Sequence, residues 1–170
     1  MYALSLPMIE LLSKQYKHET CNSLRYYQRA IFAEQLGLNN IGAFFRKEAD
    51  GERGHADRVF SFAVDRNVII PISGLSFDDI DMLPGTDPVA LFTSALKIEE
   101  DTTAMLENML TVAREERDYM TEQWLLDPAG LIHEQIEESS LYTSILDRIG
   151  QMSGPTLLHD LDIWIGETYK

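Results

Sequence analysis

Cysteine is almost absent from this chain. Cys21 stands alone, so no intrachain disulfide can form, and a buried thiol in a reducing compartment is the natural reading. No apolar run approaches the roughly 18 residues that a membrane-spanning helix needs. The N-terminus, Met1-Tyr-Ala-Leu-Ser-Leu-Pro7, also lacks the basic stretch of a secretory signal. A cytoplasmic protein is expected from these absences. Positive charge is scarce too: 14 lysines and arginines face 28 acidic residues, for a net charge of −14. Such a surface repels nucleic acid and anionic membranes and draws in cations, and no basic tail offsets it. No low-complexity tract or linker interrupts residues 1–170, and hydrophobic residues make up 45% of them, so a single domain around one core is expected.

What the chain has in abundance is helical periodicity. Apolar residues recur at spacings of three and four, which predicts an all-α fold with helices near residues 6–36, 39–66, 88–117, 121–149 and 155–167. Pro7 is tolerated in a first turn and Gly37 stands where a helix commonly ends. Asn39 or Asn40 is a suitable N-cap for the second helix, and Asp87-Pro88 opens the third. Pro128 is expected to kink the fourth. Residues 67–86 break the period, a connection long enough that the second and third helices need not be adjacent antiparallel neighbours.

Each long helix carries polar groups inside its apolar stripe. The first reads Leu12, Tyr16, Glu19, Ser23, Tyr26, Ala30, Ala33, and the second Phe45, Glu48, Glu52, His55, Val59, Phe62. The third places Glu99 between Leu96 and Leu106, and the fourth places Gln135 and Glu138 between Leu131 and Tyr142. Glu52 and His55 project from one face about a turn apart, so the pair can grip one metal ion. Burying an uncompensated carboxylate costs several kcal/mol, against a domain stability of about 5–15 kcal/mol. Either a cation sits among these groups or the face is wet. Oxygen ligands with a single imidazole differ from the sulfur-rich sets of structural zinc sites.

A lone carboxylate on one helix followed by a polar doublet on the next, repeated twice, is the layout of ferritin-like di-iron carboxylate proteins. The spacing from Glu19 to Glu52, the Glu-Arg-Gly-His at 52–55, Ile98-Glu99 and the Glu-Gln-Ile-Glu-Glu at 134–138 resemble ferritin, especially the non-haem bacterial and cyanobacterial kind. The resemblance spans nearly the whole chain, including the long second-to-third connection and the short fifth helix. It implies a ferritin-like four-helix bundle in which Glu19, Glu52 and His55 hold one iron while Glu52, Glu99 and Glu138 hold the other, with Glu52 bridging. Tyr26 would lie beside the centre and supply an electron. The implied activity is that of a ferroxidase: Fe(II) meets O2 or peroxide, and ferric mineral collects inside a homo-oligomeric 24-subunit cage.

The remaining polar positions have narrower readings. Gln135, an amide and a poor iron ligand, is expected to hydrogen-bond a ligand or water. Glu48 is a candidate way station for arriving iron, or an ordinary partly wet glutamate. Glu122 and Asp127 fall where ferritins line a threefold channel, and Trp164 either packs around a fourfold axis or caps the bundle. Bacterioferritin and rubrerythrin carry a second Glu-x-x-His where this chain has Gln135-x-x-Glu138, and His133 lies on the wrong side of the helix to replace it. The second helix holds no methionine, so no haem is expected. Gly51 replaces a carboxylate that a third iron site uses in some bacterial ferritins, which leaves Glu134 and Glu137 as remnants of it. Two alternatives stand beside storage: a non-storing ferritin-like diiron oxidase or peroxidase, and a non-catalytic acidic scaffold that buffers cations. A DNA-protecting mini-ferritin fits less well, since its iron site lies between subunits and it needs a basic tail.

Overall fold

Ser5 starts the first helix, its hydroxyl accepting the Met8 N–H at 3.2 Å just ahead of the turn that carries Pro7. The computed structural model describes residues 4–72 and 87–169, and among them it contains helices and no strand. They are α1 (Leu6–Gln35), α2 (Asn39–Asp65), α3 (Pro88–Glu115), α4 (Tyr119–Leu126), α5 (Leu131–Gly150) and α6 (Leu157–Thr168). The first three stop in the same way. Gly37, Asn67 and Arg117 take φ values of 77°, 55° and 58°. The next N–H then reaches back to a carbonyl in the last turn: Leu38 to Ala33 at 3.0 Å, Val68 to Ala63 at 2.9 Å, and Asp118 to Ala113 at 2.8 Å. Of the expected connection at 67–86, residues 67–72 are non-helical and 73–86 lie outside the described residues.

α1 packs along α2, α3 along α5, α1 against α3, and α6 against α2. Two apolar clusters fill the two ends of this bundle. One gathers Tyr26, Phe45, Phe92, Tyr142 and Ile145 with Leu161 and Ile165 of α6. The other gathers Leu12, Val59, Phe62 and Leu106 with Leu125 of α4. On every long helix the buried residues numbered between the two clusters are mainly polar, with Glu19, Glu52 and His55, Glu99, and Gln135 among them. The bundle is therefore apolar at both ends and ionisable across its middle. No helix among the described residues is long and apolar enough to cross a membrane.

Three expectations need correcting. The fourth helix is not one kinked rod over 121–149 but two helices, α4 and α5, separated by residues 127–130. Pro128 offers no N–H, Asp127 accepts the Ala129 N–H through Oδ1 at 2.9 Å, and the Gly130 N–H turns back to the Asp127 carbonyl at 2.6 Å. Only glycine fits there, since a Cβ on Gly130 would lie 2.6 Å from the Asp127 carbonyl oxygen and 2.8 Å from that of Leu125.

Neither asparagine caps α2. Leu38 holds the N-cap position, and the free N–H groups of Asn40 and Ile41 both donate, at 2.9 Å, to Oδ1 of Asp162 on α6. The cap comes from a residue far along the chain, which ties α6 to the start of α2. Trp164 of the same helix packs against the Phe45 cluster, with the Arg148 guanidinium 5.7 Å from its ring centroid. The last helix begins at Leu157, two residues later than its apolar pattern predicts.

Candidate metal centre

Four elements deliver the polar layer. From α1 comes Glu19, fully buried, with Oε1 accepting the Gln15 amide at 2.6 Å one turn earlier. From α2 come Glu52 and His55, with His55 Nδ1 3.4 Å from Glu52 Oε2. One ligand atom each from Glu19, Glu52 and His55 lie within 4.8 Å of one another, and all three residues are buried. From α3 comes Glu99, whose Oε1 accepts the Tyr26 hydroxyl and whose Oε2 accepts Gln135 Nε2 at 2.5 Å. From α5 comes Glu138, with Oε1 3.6 Å from His55 Nε2.

Charge is crowded here with little water to dilute it. Burial first, then the neighbouring Glu52 charge, raises the Glu19 carboxyl well above its ordinary range. Burial does the same for Glu52, opposed by its hydrogen bond to Glu19 and reinforced by Glu99 and Glu138. Glu99 is raised by burial even though Tyr26 and Gln135 both donate to it. Glu138 is pushed up to about 10, by burial and then by Glu99. Burial and mutual repulsion thus favour the protonated carboxyl across this layer, where Glu19 neighbours Glu52 and Glu99 neighbours Glu138.

Three carboxylate oxygens of the layer meet no donor. Oε2 of Glu19, of Glu52 and of Glu138 are buried with no hydrogen-bond partner. Each forgoes roughly 1–3 kcal/mol unless something positive meets it. Carboxylate oxygens with one imidazole nitrogen and no sulfur form a donor set suited to hard divalent or trivalent ions. The residues present therefore fit iron, and each ion that enters must displace protons.

The neighbours of this layer are ordered as well. Tyr26 is 1% exposed and stacks between Phe45 at 5.9 Å and Tyr142 at 6.1 Å, centroid to centroid. Tyr142, which its stripe position marks only as core, donates its hydroxyl to Glu48 Oε2 at 3.2 Å. Burial, against the Tyr142 hydrogen bond, lifts the Glu48 carboxyl to about 7. Glu134 is brought to the layer but against His55, with Oε2 3.3 Å from Nε2, and it forms an ion pair with Arg58. Arg58 carries no signal in the sequence beyond standing one turn after His55. Glu137 is not brought in: it is exposed and lies 3.7 Å from His133, which faces outward with it. Glu122 pairs with Arg114 at 2.7 Å, and Asp127 is taken up by the turn between α4 and α5.

Comparison with known proteins identifies the family and the fold. The ferritin family model, a ferritin-like domain, matches residues 9–152. The chain is 26% identical over 166 residues to the bacterial non-haem ferritin of Staphylococcus aureus, across 94% of this chain and 95% of that protein. It is 29% identical over 157 residues to ferritin BfrB of Mycolicibacterium smegmatis, across 92% of this chain and 83% of the relative. Among solved structures, the apo-ferritin from Pseudo-nitzschia multiseries superposes with a TM-score of 0.85 at 24% identity, over 94% of this chain and 99% of that one.

Proposed function

The chain belongs to the ferritin family, and we propose on that basis that its buried carboxylate layer is a ferroxidase centre serving iron storage and detoxification. Fe(II) is the substrate. Glu19, Glu52 and His55 take one ion, Glu52, Glu99 and Glu138 take the other, and Glu52 is shared. The observation that carries this reading is the buried group of Glu19, Glu52 and His55, whose ligand atoms lie within 4.8 Å of one another and whose two carboxylates each keep an unpartnered oxygen.

The redox balance is simple. Two Fe(II) lose one electron each, O2 takes both and leaves as peroxide with two protons, and hydrolysis of the ferric ions to oxyhydroxide releases further protons. Peroxide, where it is the oxidant, takes the same two electrons and leaves as water. Where O2 is reduced beyond peroxide a third electron is needed, and Tyr26 is read as its source, its proton passing to the Glu99 carboxylate that its hydroxyl meets. Glu48, near neutrality in its own equilibrium, suits passage of protons or arriving iron beside the layer. Assembly into a 24-subunit cage that stores the ferric product in the cytoplasm completes the reading.

Aerobic addition of Fe(II) to metal-free protein tests it. The expected course is a fast phase that saturates near two irons per chain and disappears in Glu52→Ala. Oxidation by Glu52→Ala at the parent's rate would show the site assignment to be wrong. Sedimentation velocity tests the cage, since a species no larger than a dimer cannot enclose mineral.

A further inference from the structure

His55 shows its two ring nitrogens to two different environments. Nδ1 lies 3.4 Å from Glu52 Oε2, and Glu52 is the carboxylate that groups with Glu19 and His55. Nε2 lies 3.3 Å from Glu134 Oε2 and 3.6 Å from Glu138 Oε1. A neutral imidazole has one proton, so only one nitrogen offers a lone pair to a cation, and the partner of the other nitrogen selects which.

Glu134 is held in place on its far side. Arg58 donates through Nη1 to Glu134 Oε2 and through Nη2 to the Ala129 carbonyl, which the break between α4 and α5 turns toward it. With side chains 31% and 38% exposed, the pair is partly shielded from water. Glu134 sits in the first turn of α5, where the helix dipole favours a negative charge. Glu138 is the poorer partner for Nε2, being farther away.

We propose that Glu134 and Arg58 are positioning residues for His55. Glu134 accepts the Nε2 hydrogen and so leaves Nδ1 as the free nitrogen facing Glu52 and Glu19, while Arg58, braced on the Ala129 carbonyl, fixes Glu134 where it can do so. The assignment rests on the reading of Glu19, Glu52 and His55 as a metal site, and it gives Glu134 a role other than iron ligand. It also bears on how many ions bind. Glu134 already serves an arginine and a histidine, and the guanidinium charge beside it repels a further divalent cation. Carboxylates that orient a metal-binding histidine in this way are worth roughly ten- to a hundredfold in metal affinity.

The test uses Zn(II), which binds without redox chemistry, titrated calorimetrically into the metal-free assembled protein. Glu134→Ala is expected to weaken the site containing His55 by roughly ten- to a hundredfold. Glu134→Gln, whose amide oxygen still accepts a hydrogen bond, should restore most of that loss, and Arg58→Met should fall between. Solid-state 15N spectra of histidine-labelled protein, with His55 assigned by its loss in His55→Asn, should show Nε2 protonated in the parent and a tautomer mixture in Glu134→Ala. A parent protonated on Nδ1, or a Glu134→Ala variant that binds Zn(II) as tightly as the parent, would overturn the proposal. If the parent binds no Zn(II) at all, the metal site itself is refuted, and the proposal with it.

Discussion

Gln135 donates through Nε2 to Oε2 of Glu99 at 2.5 Å, and Tyr26 donates to the other oxygen of the same carboxylate. Glu99 is thus clamped from α5 and α1 before any ion arrives. Such preorganisation lowers the cost of binding, because the carboxylate does not have to be ordered by the cation.

Removing the Gln135 clamp should therefore cost affinity at one half of the centre. Gln135→Leu keeps most of the volume and loses the donor, and a hydrogen bond to a charged group contributes roughly 1.5–3 kcal/mol. Anaerobic Fe(II) titration should show one of two binding steps weakened by about tenfold or more. Two unaltered steps would mean that Gln135 is only packing.

Stability of the metal-free protein should fall as pH rises. The folded state holds protons on Glu48 and Glu138 that the unfolded chain releases at ordinary carboxyl values, because burial raises the two groups to about 7 and about 10. Their contribution is complete at acid pH and is lost as pH climbs through those folded values, at up to about 1.4 kcal/mol per pH unit for each group. Thermal melts between about pH 5 and 8 should show a shallower slope for Glu138→Gln than for the parent. Parallel slopes would contradict the burial argument.

Loading the centre should reverse this trend and liberate protons. A divalent ion displaces protons that burial keeps on Glu19 and Glu99. Zn(II) titrations in buffers of different ionisation enthalpy should report at least one proton released per ion. At a free ion concentration of a hundred times Kd, stability should rise by about 2.7 kcal/mol. Binding with no proton release would place the ions elsewhere.

Asp162 supplies a cap whose loss can be separated from the chemistry. Asp162→Ala strands the N–H groups of Asn40 and Ile41 and should cost about 1–2 kcal/mol in denaturant unfolding. Hydrogen exchange should quicken in α6 and the first turn of α2, while the initial rate of Fe(II) oxidation stays at the parent's level. A lost oxidation phase would mean that α6 reaches the centre.

Gly130→Ala should destabilise by about 1–3 kcal/mol, since the added methyl collides with two carbonyl oxygens of the turn. The same substitution moves Ala129, the brace of Arg58. Weaker Zn(II) binding should accompany the lower melting temperature. A variant with parental stability would show that the turn has room to relax.

Much of the centre was legible because a helix repeats every 3.6 residues. Once Glu19, Glu52, His55, Glu99 and Gln135 stood on apolar stripes, burial in a common layer followed from the need to hide those stripes. What periodicity leaves open is how stripes meet. Glu48 and Tyr142 lie on different helices, and nothing local in either segment announces their hydrogen bond. Nothing near Arg58 in the chain points to the Ala129 carbonyl that the turn at 127–130 brings to it. Pro128 announced a disturbance in the fourth helix, but its size depended on Gly130 packing against two carbonyls, which residue spacing does not reveal.

Local chemistry along the chain determined the helices, their apolar faces, the acidic excess and the oxygen-rich donor set, because each depends on neighbours within a turn or on composition alone. Tertiary packing decided the rest: which carboxylates become neighbours, which imidazole nitrogen faces Glu52, and which helix start is capped by a residue from the far end of the chain. Those outcomes depend on distances of a few ångströms between segments remote in sequence, and only the packed bundle sets such distances.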